Sequence, residues 1–249
     1  LFFMTGMGMF GQGFVGKLAF PSANVSDRLE QTFTSVNFNM MIMVIYALIT
    51  IAIFGMWYYA RYEGNFLPSP KKTFNPMMIV AIVILVPGTQ FAANFIANLT
   101  GYIRPDWLQQ YNELFETSGI TDTTFVTVLY SVILAPICEE LIFRGVTMRC
   151  ARKALPFALA NLMQAALFGL FHLNWIQGIY AFALGIVLGY VCEHGGSIYY
   201  SMGLHLLFNL WGTLSGFFPD PGNSVVVFVV VIVVTIVSLA VGFVLFNKG

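Results

Sequence analysis

Residues 225–246 read VVVFVVVIVVTIVSLAVGFVLF, a run with no charged position. A bilayer's hydrocarbon core of ~30 Å is crossed by roughly 20 apolar residues in a helix, so this segment is long enough to span. Runs of the same kind lie at about 1–20, 36–60, 77–100, 125–149, 156–174, 177–193 and 197–217. Pro87 interrupts the third, which a helix inside a bundle tolerates. Across all 249 residues, 58% are hydrophobic and 9% charged, with a mean hydropathy of +0.81. A soluble domain carries about 25% charged residues, so this chain lacks the charge to cover a water-facing surface. It is also far too apolar to be disordered. The expectation is an all-α, polytopic, multi-pass integral membrane protein. It has about eight transmembrane helices in one integral-membrane domain over residues 1–249. Its partner is the lipid bilayer. The net charge is zero, and nothing suggests a phosphate-seeking patch for nucleic acid.

Basic residues in short loops set the orientation. Arg61, Lys71 and Lys72 follow the second span, Arg149, Arg152 and Lys153 the fourth, and Lys248 the eighth. The opposite loops carry Asp27, Glu30, Asp106, Glu113, Glu116, Asp122 and Asp220 against Arg28 and Arg104. With eight spans the basic side is cytoplasmic, and so are both termini. The first residue is Leu1 rather than Met, so an upstream segment is expected. Residues 101–124 have room for a short amphipathic helix on the outer surface, although a solvated connector is the expected reading. The three cysteines (Cys138, Cys150 and Cys192) have no CxxC spacing, which disfavours a disulfide framework or a thiolate metal cluster.

Ionisable side chains inside spanning helices are expensive and mark functional sites. The fourth span holds Pro136-Ile-Cys-Glu139-Glu140-Leu-Ile-Phe-Arg144. Glu140 and Arg144 are i and i+4 in the order that favours an ion pair. Glu139 points about 100° away, without such a partner on its own helix, and suits a general base. The fifth span carries Phe168 and His172, and the seventh His205 and Asn209 on one helical face. Two histidines, an asparagine and two carboxylates need partners in hydrocarbon, so one shared polar site is expected. Glu139 lies 16 residues before Leu155 and His172 lies 17 after it, level to ~1.5 Å in an antiparallel hairpin. His205, about nine residues into its span, places the pocket at the midplane or opening towards the cytoplasmic half.

The motifs EExxxR (Glu139, Glu140, Arg144), FxxxH (Phe168, His172) and HxxxN (His205, Asn209), in order within helices over 125–217, resemble the type II CAAX prenyl endopeptidases. These belong to the CPBP or Abi superfamily, which covers CAAX proteases and bacteriocin-processing enzymes. The resemblance implies an intramembrane endopeptidase acting on a membrane-associated peptide or protein, lipidated or not. It implies that Glu139 and His172 activate water, that His205 and Asn209 hold the oxyanion, and that Glu140, Arg144 and Phe168 support them. No cofactor is expected. The alternative is a zinc held by Glu139, His172 and His205, since the family has been described both as metalloproteases and as metal-free glutamate proteases.

Two other functions fit the composition. One is a non-catalytic immunity or regulatory protein that binds a partner through the same polar core. The other is a proton pathway or transporter, but no inverted repeat of the kind such folds show is visible. Gly185 and Gly189 form a GxxxG packing face. The glycines at 6, 8, 11, 13 and 16 read as close helix packing, because no GK[ST] follows.

Overall fold

The computed structural model describes residues 36–62, 75–118, 124–215 and 224–249. Among them there are eight helices and no strand: α1 (Val36–Tyr62), α2 (Pro76–Ile103), α3 (Pro105–Ser118), α4 (Phe125–Ala151), α5 (Phe157–Phe171), α6 (Trp175–His194), α7 (Ile198–Ser215) and α8 (Val225–Lys248). The fold is all-α. Five of these helices, α1, α2, α4, α6 and α8, are long and apolar enough to cross a membrane. The expected first span, residues 1–20, lies outside the described residues.

Two elements differ from the sequence-based expectation. The fifth segment, expected over 156–174, is a 15-residue helix that stops at Phe171. Leu173 then takes a left-handed backbone, φ 54°, which a helix cannot continue. The connector at 101–124 contains the 14-residue helix α3. Arg104 alone separates it from α2, and the guanidinium pairs with Asp106 at 2.6 Å. That contact holds the exposed Asp106 carboxyl below its ordinary value. Trp107 stacks on Trp175 of α6 with ring centroids 5.3 Å apart. This packing, absent from any periodicity in the sequence, turns the connector into an ordered element.

Pro87 removes an N–H from the middle of α2. The neighbouring break is filled from α8, where the Ser238 hydroxyl accepts from Gly88 N–H and donates to the Ile84 carbonyl. A Cβ on Gly88 would fall 2.7 Å from that hydroxyl, so the close approach requires glycine. The core includes Leu85, Phe143, Phe168, Leu188, Leu204 and Phe246, drawn from α2 and α4 to α8, and it surrounds the polar residues of α4, α5 and α7. Cys138 and Cys192 are free and buried, and Cys150 is free and exposed.

Orientation is checked by single cysteines at Asn112 and Lys153 in a cysteine-free background. Impermeant-reagent labelling is expected from outside at the first and from the cytoplasm at the second. Labelling of both from one side would overturn the charge-based topology.

Candidate active site

α4 is not a uniform helix. Residues Leu129–Leu134 and Leu141–Met148 are π-helical, and they bracket the α-helical stretch Ala135–Glu140. π-helical insertions are rare and favour functional sites. Across the first, the Ala135 N–H donates to the Tyr130 carbonyl, five residues back. Pro136 comes next and has no N–H to offer Ser131. The Asn209 amide on α7 supplies the missing bond, its Nδ2 donating to the Ser131 carbonyl at 2.8 Å. This ties Asn209 to the helix that carries the glutamates and leaves its second N–H unspent.

Glu140 and Arg144 have fully buried side chains, and Arg144 Nη1 donates to Glu140 Oε1 at 2.7 Å. The guanidinium also donates through Nη2 to the Gly185 carbonyl at 3.3 Å and lies 4.5 Å over the Phe168 ring. A buried charge is retained only when paired and hydrogen-bonded, and these contacts meet that condition from three helices.

His205 stands between the two carboxylates. Its Nδ1 lies 2.9 Å from Glu140 Oε1 and its Nε2 3.6 Å from Glu139 Oε2. Each imidazole nitrogen thus faces one of the two glutamates. Glu139 keeps 15% of its side-chain surface exposed, against 4% for His205. It is therefore the accessible member of the carboxylate pair, and His205 is its partner across the bundle.

His172 is not inside a helix. It caps the end of α5, with its N–H on the Gly169 and Leu170 carbonyls and its Nδ1 2.8 Å from the Phe168 carbonyl. Phe168 meets both imidazoles edge-to-face, at 4.9 Å from His172 and 5.8 Å from His205. One buried ring thus sets both histidines, with Arg144 against it. Beside His172, Leu170, Leu173, Trp175 and Ile179 line an apolar cavity of about 520 Å³.

Sequence reasoning missed two supporting side chains and one backbone carbonyl. Gln164 Nε2 donates to the Gly185 carbonyl at 2.8 Å and to Asn161 Oδ1 at 2.7 Å. Asn161 Nδ2 donates to the Ile186 carbonyl at 3.0 Å. Their signal was present as two carboxamides at i and i+3 in an apolar helix. Ser131 carried no signal, because only its carbonyl is used. The GxxxG glycines face these groups: a Cβ on Gly189 would lie 1.9 Å from Asn161 Oδ1, and one on Gly185 3.1 Å from Phe168.

Among the described residues no three His, Cys, Asp or Glu side chains form a group able to hold a metal ion. The zinc alternative needs Glu139, His172 and His205 to converge on one ion.

The site's exposure rises along α7. His205 is buried, Asn209 half-buried and Gly212 exposed, while Ile198 and Ser201 at the other end are buried.

A helical membrane protein with two carboxylates, two imidazoles and a carboxamide around one buried ion pair has the side chains of a water-activating hydrolase. The family model described as Type II CAAX prenyl endopeptidase Rce1-like matches residues 121–211, which contain every one of these side chains. Over residues 121–211 the chain is thus similar to a family described as endopeptidases. No curated protein and no solved structure gives a significant match to the chain.

Glu140→Ala and Arg144→Ala each leave a buried charge unpaired, which costs about 3–5 kcal/mol. Both detergent-solubilised variants are expected to melt well below wild type. A Glu140→Ala protein that melts normally yet has no activity would move the base role from Glu139 to Glu140.

Proposed function

We propose that this chain is an intramembrane endopeptidase that cuts a membrane-associated peptide or protein with water activated by Glu139 and His172. The observation that carries the reading is the relay Arg144–Glu140–His205–Glu139, which leaves one accessible carboxylate next to an oriented imidazole. The helices over 125–217 form the reacting part, within a single membrane domain.

Glu139 accepts a proton from water, whose oxygen attacks the scissile carbonyl carbon. His172 orients that water from the end of α5. Charge then develops on the carbonyl oxygen, which His205 and the second N–H of Asn209 hold. Collapse of the tetrahedral intermediate breaks the C–N bond, and Glu139 returns its proton to the leaving nitrogen. Glu140 positions His205 without touching substrate. Preorganised donors in a site shielded from water are worth about 10²–10³ in rate each. The apolar cavity beside His172 supports a substrate held in the bilayer, with or without an attached lipid.

Both His205 nitrogens face carboxylates, and His172 Nδ1 is taken by a backbone carbonyl. These engagements support a reaction without a tightly bound metal. Extensively dialysed protein is expected to stay active in chelator and to hold far less than one zinc per chain by elemental analysis. Stoichiometric zinc, lost with activity and restored on re-addition, would turn the same residues into a metalloprotease site.

The test of the function is proteolysis of a peptide library by purified protein. Glu139→Ala is expected to abolish cleavage while folding and expression are retained. Turnover above a few per cent of wild type would remove Glu139 from the base role. Full biological activity of Glu139→Gln in cells would favour a non-catalytic partner-binding protein.

A further inference from the structure

One buried polar side chain stands outside this machinery. Gln90, in the middle of α2, is 7% exposed, and its Oε1 has no hydrogen-bond partner among the described residues. Its Nε2 is held by Asn94 Oδ1 at 3.3 Å. A carboxamide oxygen unpaired inside an apolar helix is a loss unless something else meets it.

Its place in the bundle says what could. The Asn75 N–H at the start of α2 donates to the Tyr200 hydroxyl of α7 at 3.0 Å, and Phe91 meets Trp211 edge-to-face at 6.1 Å. The two helices therefore run in the same direction, with Gln90 level with the far part of α7. A Cβ on Gly212 would come within 4.0 Å of Gln90 Nε2 and of no other heavy atom. Gly212 follows Asn209 by three residues and His205 by seven, so all three share one face of α7. Gln90 thus lies beside the exposed end of α7, about 4.5 Å along the axis from Asn209. Beyond it, Asn94 and Asn98 continue the amide stripe at i+4 and i+8, both exposed, on a helix otherwise apolar enough to span.

We propose that Gln90 is a substrate-binding residue whose Oε1 accepts a main-chain N–H of the peptide next to the scissile bond. An extended peptide in a bilayer carries backbone groups that lipid cannot satisfy. Its residues advance by ~3.4 Å, so a group about 4.5 Å beyond Asn209 meets the chain one to two residues from the carbonyl under attack. A carboxamide serves any side-chain sequence, because it reads only the backbone. Asn94 holds the nitrogen of Gln90, and the oxygen is the atom left without a partner among the described residues.

This rests on the endopeptidase reading, and the experiment separates the two. The best-cleaved peptide of the library is compared with esters in which one backbone N–H at a time is replaced by oxygen, on wild type, Gln90→Leu and Gln90→Glu. Gln90→Leu is expected to raise KM on the order of ten-fold at similar kcat, with a detergent melting temperature no lower than wild type. One ester position should raise KM similarly in wild type and add nothing in Gln90→Leu. Gln90→Glu keeps an acceptor and should retain sensitivity at that position, which decides the matter if Gln90→Leu folds poorly. Cleavage by wild type with no ester-sensitive position, or with equal ester effects in both Gln90→Leu and wild type, overturns the role of Gln90 and leaves the endopeptidase standing. A wild-type chain that cleaves nothing overturns both.

Discussion

The buried Arg144–Glu140 pair is the constraint around which the other helices are arranged. Neither side chain reaches solvent, and in a low-dielectric interior an ionised group persists only if it is paired and hydrogen-bonded. One bond within α4 is not enough for a guanidinium with five donors. The second acceptor is the Gly185 carbonyl, and reaching it requires α6 to come very close. That approach explains the glycine, since a Cβ at 185 would press on Ala165 and Phe168 at 3.1 Å. The GxxxG face is therefore part of the charge's surroundings as well as a packing device. Gln164 binds the same carbonyl, so α5 is fixed to the same point. The Phe168 ring under the guanidinium then carries α5's contribution to both histidines.

His205 shows how a structural pair becomes a functional one. Glu140, already neutralised by Arg144, fixes one imidazole nitrogen, and the remaining nitrogen turns to Glu139. Two adjacent carboxylates on one helix would otherwise compete for the same proton. Here the cation and the imidazole separate them, giving one carboxylate a buried, ion-paired environment and the other an accessible one.

Much of this was legible in the sequence, because the relevant contacts are local. The Glu140–Arg144 spacing, the shared face of His205 and Asn209 and the all-helical class follow from periods of 3.6 and from composition. What was not legible depends on tertiary packing or on backbone states that periodicity does not encode. The end of α5 at His172 hangs on a left-handed leucine, where a glycine or asparagine would have been the usual sign. The helix at Pro105–Ser118 is anchored by one tryptophan stack with α6, a contact between positions far apart in the chain.

Pro136 shows why motif residues can hold more than one role. A proline next to two intramembrane carboxylates looks like an obstacle to the helix that must present them. Its missing N–H leaves the Ser131 carbonyl to be met from outside, and the wide π turn places that carbonyl towards α7. Asn209 meets it with one of two amide hydrogens, so its orientation is set before any substrate arrives. A donor fixed in this way needs no reorganisation when charge develops beside it. The break in α4's hydrogen-bond ladder is thus the feature that aims the asparagine, and the asparagine in turn makes the break tolerable in a bilayer.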